Sequence, residues 1–364
     1  MIKPQHFVAL AIAALASLLL SVGLYASTYR FTSGKVEGTL LLPELARQGD
    51  RIASLELRQG EKKLTLQRNG NDWRIAEREG FPANPDRIRA LLIALSKTEL
   101  VEPRTAVKDN WKLLELEDPA AKDAKSRAIR ILDAKGAPLG DIVLGRARPD
   151  AFGPGKGGIY VRRPAETQTW LAMGDAKGGL DLKDWIALTA FEIDTTTIAK
   201  ITIEHPGDEP IVVDKGDGKE AKFKLAKALP EGMKLKQGVT IDQIGGGFAA
   251  IELDDVRRLA ATPTGDKVSV IKLEAEGGPV VTFRLRKDGE ATWLSLGATG
   301  ESDGAKKKAE AINARAVGWE FKLPQWKVDQ IGRRMADIIE KDEKKGEAGP
   351  PPQMPQMPFQ MPRQ

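Results

Sequence analysis

The sequence has no cysteine, which removes disulfides, thiolate metal sites and cysteine nucleophiles from consideration. Histidine is nearly as scarce, with only His6 and His205. His6 lies beside a long uncharged run, so a histidine metal centre or a Ser-His-Asp triad would have His205 alone to draw on. Neither sign of charge prevails. The 56 basic residues face 51 acidic ones, a net +5 too mild to demand nucleic acid or an acidic membrane as partner. A chain without cysteine suits an oxidising compartment, where a stray thiol is a hazard, although many cytosolic proteins share the trait.

What the chain does have is length and an ordinary composition. Its 364 residues suffice for two domains of usual size. With 41% hydrophobic and 29% charged residues, most of it reads as a folded, water-facing body. The exception is residues 7–25, FVALAIAALASLLLSVGLY, nineteen residues without a charge. As a helix at about 1.5 Å per residue this run would be roughly 28 Å long, close to the thickness of a bilayer core. Three readings compete: an uncleaved signal anchor, a cleaved signal peptide and a buried apolar helix. The run exceeds the apolar stretch of about 7–15 residues usual in a signal peptide, and no good cleavage site follows it, which favours the anchor. Lys3 before it and Arg30 and Lys35 after it nearly balance. The short N-terminal tail then favours an N-terminus inside and an exported body.

After a connector over residues 26–47 the patterns are strand-like. Ile52, Leu55 and Leu57 open a strand, Gln59-Gly60 turns it, and Lys63-Leu64-Thr65-Leu66-Gln67 alternates with period two. Trp73-Arg74-Ile75 is a third short strand. Asn84-Pro85 then starts a helix, with Ile88, Leu91, Leu92 and Leu95 on one stripe. Strands follow around residues 128–132, 141–144, 158–161 and 168–173, and an amphipathic piece begins at Leu182.

The pattern then starts again. Ile198-Ala199-Lys200-Ile201-Thr202-Ile203 matches the first strand, Ile211-Val212-Val213 the second and Phe223-Lys224-Leu225 the third. Asp242-Gln243-Ile244 matches Asp86-Arg87-Ile88, Thr292-Trp293-Leu294 matches Thr169-Trp170-Leu171, and Leu323 to Trp326 matches Leu182 to Trp185. Six correspondences in one order imply a duplicated unit. The second copy places Gly245-Gly246-Gly247 in its helix, so that helix is either broken there or packed very closely. Residues 327–341 read as one helix. The end, PPPQMPQMPFQMPRQ, is a proline-, methionine- and glutamine-rich tail expected to be disordered or polyproline-II-like, and it is the stretch best suited to engage a partner.

Chemistry has few places to sit. Arg146, Arg148, Gly155, Lys156 and Gly157 form a basic glycine loop whose amides are a candidate anion site. A Walker loop would need glycine where Asp150 stands and Ser or Thr where Gly157 stands, so a long hairpin connection is the plainer reading. His205, in Glu204-His205-Pro206-Gly207, reads as a surface turn residue. Glu252, Asp254 and Asp255 are carboxylates that read as a solvated face. Trp170 and Trp293 recur between the copies, which points to core packing.

Several of these residues together resemble a bacterial family, domain of unknown function 4340. They are the LxLxRxG and WRI segments, the helix from Asn84-Pro85 to Leu92, the run from Leu144 to Tyr160-Val161-Arg162, and Trp185. The likeness runs from about residue 48 to 335, with Asn84-Pro85 where the family often has Ala-Asp. The resemblance implies an N-terminally membrane-anchored protein, often encoded beside ABC-2-type or gliding-motility-type transporters, with no catalytic residue to carry over.

The resulting expectation is an α+β protein: an N-terminal transmembrane helix followed by two repeated lobes, each a mostly antiparallel sheet with a packed helix. The divisions are a cytoplasmic tail (1–6), the signal anchor (7–25), a connector (26–47), the first repeat (48–190), the second repeat (191–340) and the tail (341–364). The expected function is a non-catalytic periplasmic accessory or scaffold of an ABC-type transport or envelope complex at the bacterial inner membrane. The expected partners are the lipid bilayer and transporter subunits, with no nucleic acid, no cofactor and no metal, and the oligomeric state left open. The alternatives are an envelope hydrolase using carboxylates and a passive envelope-structural protein.

Overall fold

In the computed structural model the described residues are 17–18, 21–22, 38–216, 222–262 and 267–342. They divide into two units. The first holds residues up to Trp73 together with Pro85–Leu180; the second holds Arg74–Asn84 and everything from Asp181 on.

Alternation of apolar and polar residues makes the strands of the first unit. They are β1 (Thr39–Leu40), β2 (Ile52–Gln59), β3 (Lys62–Asn69), β4 (Asp72–Ile75) and β5 (Phe81–Ala83), the last two lying at or beyond the division. Then come α1 (Pro85–Lys97), β6 (Glu99–Pro103), β7 (Arg127–Asp133), β8 (Pro138–Arg148), β9 (Gly158–Arg162) and β10 (Thr169–Met173). The sheet order is β1-β6-β10-β9-β8-β7-β2-β3, and the pairings are antiparallel. Leu55, Leu57, Leu66, Ile129, Ile131, Ile142, Leu144 and Val161 are buried at its centre, and α1 turns Ile88, Leu91 and Leu95 inward. The last part of the stretch read as a connector is built into this unit: β1 pairs with β6, and Leu41, Leu42 and Leu45 are buried.

The second unit continues with β11 (Thr189–Glu192), β12 (Ile198–Glu204), β13 (Ile211–Lys215), β14 (Phe223–Leu225), β15 (Met233–Leu235), α2 (Ile241–Gly246), β16 (Ala250–Glu252) and β17 (Asp255–Arg258). It ends with β18 (Val268–Ala275), β19 (Val280–Asp288), β20 (Ala291–Thr299), α3 (Asp303–Ala316), β21 (Trp319–Leu323), α4 (Gln325–Ile331), α5 (Met335–Ile338) and β22 (Ile339–Lys341). Its main sheet runs β14-β13-β12-β18-β19-β20-β21-β17. Taken by rank along the chain, β17-β21-β20-β19-β18-β12-β13 repeats the order β6-β10-β9-β8-β7-β2-β3. Helix α3 is an addition between β20 and β21. Its Ala305, Ala309 and Ala316 are buried, and the Asn313 side chain receives the Ala298 amide and donates to the Ala298 carbonyl, both at 2.8 Å.

The expected fold class needs correction. The described residues are mostly antiparallel sheet with short helices, and not an α+β body led by a transmembrane helix. Among the described residues no helix is long and apolar enough to cross a membrane. The run at 7–25 lies outside the described residues apart from Ser17, Leu18, Ser21 and Val22, and so does the tail beyond Asp342. Two local expectations also change. Strand order pairs β20 with β9, and β21 with β10, so Trp293 is not the counterpart of Trp170; the insertion of α3 displaces the match. The helix expected over 327–341 is three elements, α4, α5 and β22, with a break at Gly332, because Ile339–Lys341 instead pair with β15.

Candidate binding site

The strongest gathering of charge lies in the second unit, at the end of its sheet. Strand β17 pairs with β21 and sets Arg257 opposite Glu320. Strand β19 ends in Arg286 and Asp288, and Trp293 on β20 sits opposite Arg286. These strands converge four ionised side chains. Arg257 donates to Glu320 Oε2 and to Asp288 Oδ2, each at 2.8 Å. Arg286 donates to both Glu320 oxygens, at 2.9 and 3.0 Å. The guanidinium of Arg257 lies 3.8 Å from the centre of the Trp293 ring, a face that favours a cation. Glu320 is 2% exposed, and both arginines meet it there.

A cavity of about 470 Å³ opens here, lined by Arg257, Arg258, Arg286, Asp288, Glu320 and the turn after β17. Burial works against the Arg257 charge, but the hydrogen bonds and charges of Asp288 and Glu320 outweigh it and hold its pKa above the ordinary arginine value. Arg258 is different: its guanidinium rests 4.0 Å from the Trp319 ring centre with no ion pair among the described residues. Arg257 and Arg258 are neighbours on β17 and so project to opposite faces of the sheet; on the Glu320 face two guanidinium groups meet two carboxylates.

The glycine loop joins β8 to β9 in the first unit. Arg146 forms an ion pair with Glu115 at 3.4 Å, and Arg148 donates to the Tyr160 hydroxyl at 3.4 Å. The Gly155 amide donates to Asp150 Oδ1 at 2.9 Å, and the Lys156 amide donates to the Gly153 carbonyl. The Gly157 carbonyl accepts from the Gly174 amide. Two amides that an anion would use are therefore engaged, one by a carboxylate of the loop itself. Ala151 and Phe152 pack on the cluster of Leu116, Val143, Tyr160 and Leu171, which fixes the loop to the core.

The three carboxylates read as a solvated face have separate fates. Asp255 takes a two-pronged bond from Arg78, at 2.7 and 3.1 Å. Glu252 lies 3.0 Å from Lys327 Nζ, close enough for ion pairing though not aligned as a hydrogen bond. Asp254 is exposed. Lys327 is buried and also donates to the Ala250 carbonyl at 2.8 Å and to Gln330 at 2.9 Å. His205, expected on the surface, is buried. Its Nδ1 lies 2.7 Å from Ser269 Oγ and its Nε2 lies 3.0 Å from the Arg333 carbonyl. That carbonyl can only accept, so Nε2 carries a proton and donates to it. Among the described residues no group of three or more His, Asp or Glu is arranged to hold a metal ion.

Fold and site together define a two-unit antiparallel β protein with an arginine-lined cavity. The chain belongs to the family described as Domain of unknown function (DUF4340), whose model matches residues 73–275. That span is narrower than the likeness read from the sequence; it includes Arg257 and Arg258 and stops before Arg286, Asp288 and Glu320. No curated protein and no solved structure matches the chain.

Proposed function

We propose that the chain is a non-catalytic accessory or scaffold protein of an ABC-type transport or envelope complex, acting at the bacterial inner membrane with its body in the periplasm. The observation that carries the non-catalytic part is the closed ion network of Arg257, Arg286, Asp288 and Glu320. Both acids that line the cavity are held in ion pairs with arginines, which supports a role in binding over one in proton transfer. The transport connection rests on the resemblance of residues 48–335 to a family often encoded beside ABC-2-type transporters, and the location rests on the lack of charge over residues 7–25.

One observation favours a second reading, an envelope hydrolase: Asp288 and Glu320 line the same cavity. Assays of the chain, Asp288→Asn and Glu320→Gln on glycan and peptide substrates separate the two. The accessory reading expects no turnover from any of them. Hydrolysis by the unaltered chain that Asp288→Asn abolishes would establish the hydrolase. Reporter fusions at Lys35 and after Glu340 test the location; cytoplasmic signals from both would refute the periplasmic body.

A further inference from the structure

The second unit carries an apolar groove, distinct from the arginine cavity, of about 250 Å³. Pro210, Val212, Leu225, Leu229, Pro230 and Met335 line it, and Glu209 and Lys227 stand at its rim. Val212, Leu225, Leu229 and Met335 are half-buried, so each keeps apolar surface in contact with water that an occupant would cover. The rim pair, 3.1 Å apart, marks one polar border.

The chain leaves the described structure beside this groove. Strand β22 pairs with β15, Met233 facing Lys341, and the Asp342 amide donates to the Gly232 carbonyl at 2.8 Å. Gly232 follows Pro230 by two residues, at most about 7 Å of chain. Beyond Asp342 the sequence runs through a polar stretch to Gln353-Met354-Pro355, Gln356-Met357-Pro358 and, after Phe359, Gln360-Met361-Pro362. In a polyproline-II helix, with about three residues per turn, Met354 and Met357 share one face and Pro355 and Pro358 the next. The intervening residues 343–353 can extend over roughly 36 Å, ample to return Met354 to a groove that begins next to the exit point.

We propose that the Met354–Pro358 segment of the same chain docks in this groove, its methionines filling the space between Leu225, Leu229 and Met335. Methionine suits such a shallow, irregular surface, and a polyproline-II segment loses little conformational entropy when it binds. Tethering at Asp342 makes the encounter intramolecular, with an effective concentration on the order of millimolar. This inference stands apart from the transport reading.

The absence of native cysteine makes the test clean. The full chain bearing Glu209→Cys and Gln356→Cys, which leaves both methionines in place, is oxidised at high dilution, beside a control bearing Lys306→Cys, on the exposed face of α3, with Gln356→Cys. Docking predicts an intramolecular disulfide that forms at least roughly tenfold faster at the groove than in the control. Equal rates, or disulfides only between two chains, would overturn it; the second result would assign the groove to the tail of another copy. Adding Leu225→Lys to the groove pair should slow the bond by a similar factor while the tryptophan-monitored melt of the chain persists. An unchanged rate in a folded Leu225→Lys chain would show that the groove does not hold the tail.

Discussion

Glu320 is the residue on which the charge cluster depends. It sits on β21 between Trp319 and Phe321, is 2% exposed, and takes bonds from Arg257 and Arg286. Arg257→Ala would leave it with one partner. Breaking a fully buried pair costs about 3–5 kcal/mol, but Arg257 is partly exposed and Arg286 remains. The expected loss is therefore about 2 kcal/mol, read as a lower denaturant midpoint with an unchanged slope. Acid stability follows from smaller sites. In the turn after β7, Asp133 accepts from the Ala137 amide, the largest influence; burial opposes it, and the Lys135 amide and Arg51 add to it, so the pKa lies below 3.8. Asp194 is lowered by the Thr196 hydroxyl and amide, against burial. A carboxyl with a lowered folded pKa lends stability that is fully present above its unfolded value and is lost as pH falls through the folded value. Asp133→Ala should thus lower the melting point at neutral pH and flatten its decline below pH 3.8. A decline as steep as in the unaltered chain would contradict this.

Little of this was legible at the residue scale. The partners of Glu320 lie 63 and 34 residues away in sequence, and no local spacing joins them. The only signal was an acid set between two aromatics in a strand. His205 misled for a related reason: its Pro-Gly context is that of a turn, but the turn is covered by the segment at Arg333. The glycine loop was readable as a hairpin connection because strand patterns flank it, whereas the use of its amides by Asp150 and Gly153 depends on loop geometry that composition does not specify.

At the scale of elements, local periodicity was informative. The β2–β3 hairpin and α1 fall where alternation and the Pro85 start place them. Pairing across long separations was not readable, so the position of α3 and the strand equivalences were missed. The Gly245-Gly246-Gly247 stretch shows how one pattern has two causes. Helix α2 ends at Gly246, and a Cβ on Gly245 would lie 2.2 Å from the Phe223 ring, whereas one on Gly246 would meet nothing within 4 Å. Gly245→Ala should therefore destabilise the second unit by about 2 kcal/mol through overpacking. Gly246→Ala should be neutral or stabilising by up to about 1 kcal/mol through helix propensity. Equal effects in thermal melts would refute the packing argument.

At the scale of the molecule, the chain is cut where the sequence showed no seam. The second unit includes Arg74–Asn84. Phe81 meets Trp319 edge to face at 4.9 Å, Arg78 grips Asp255, and the Asn84 amide donates to the Trp185 carbonyl at 2.6 Å. A fragment of residues 181–342 should melt below the second unit of the intact chain, and a peptide of residues 74–84 should raise its midpoint. Phe81→Ala in the intact chain should cost about 3 kcal/mol. A fragment as stable as the intact unit would show that this segment is dispensable. The repetition of patterns along the sequence was visible because each copy keeps its apolar alternation, while the separation of 74–84 from its neighbours was hidden, since it is decided by what Phe81 packs against.

The accessory role makes one demand above all: a partner. The most direct measurement is crosslinking in cells of the affinity-tagged chain, followed by identification of the proteins recovered from the membrane fraction. The account predicts reproducible recovery of ABC-type transporter or envelope-complex subunits, retained with Asp288→Asn, since the proposed role is non-catalytic. Recovery of the chain alone, under conditions that crosslink a known membrane complex, would contradict it.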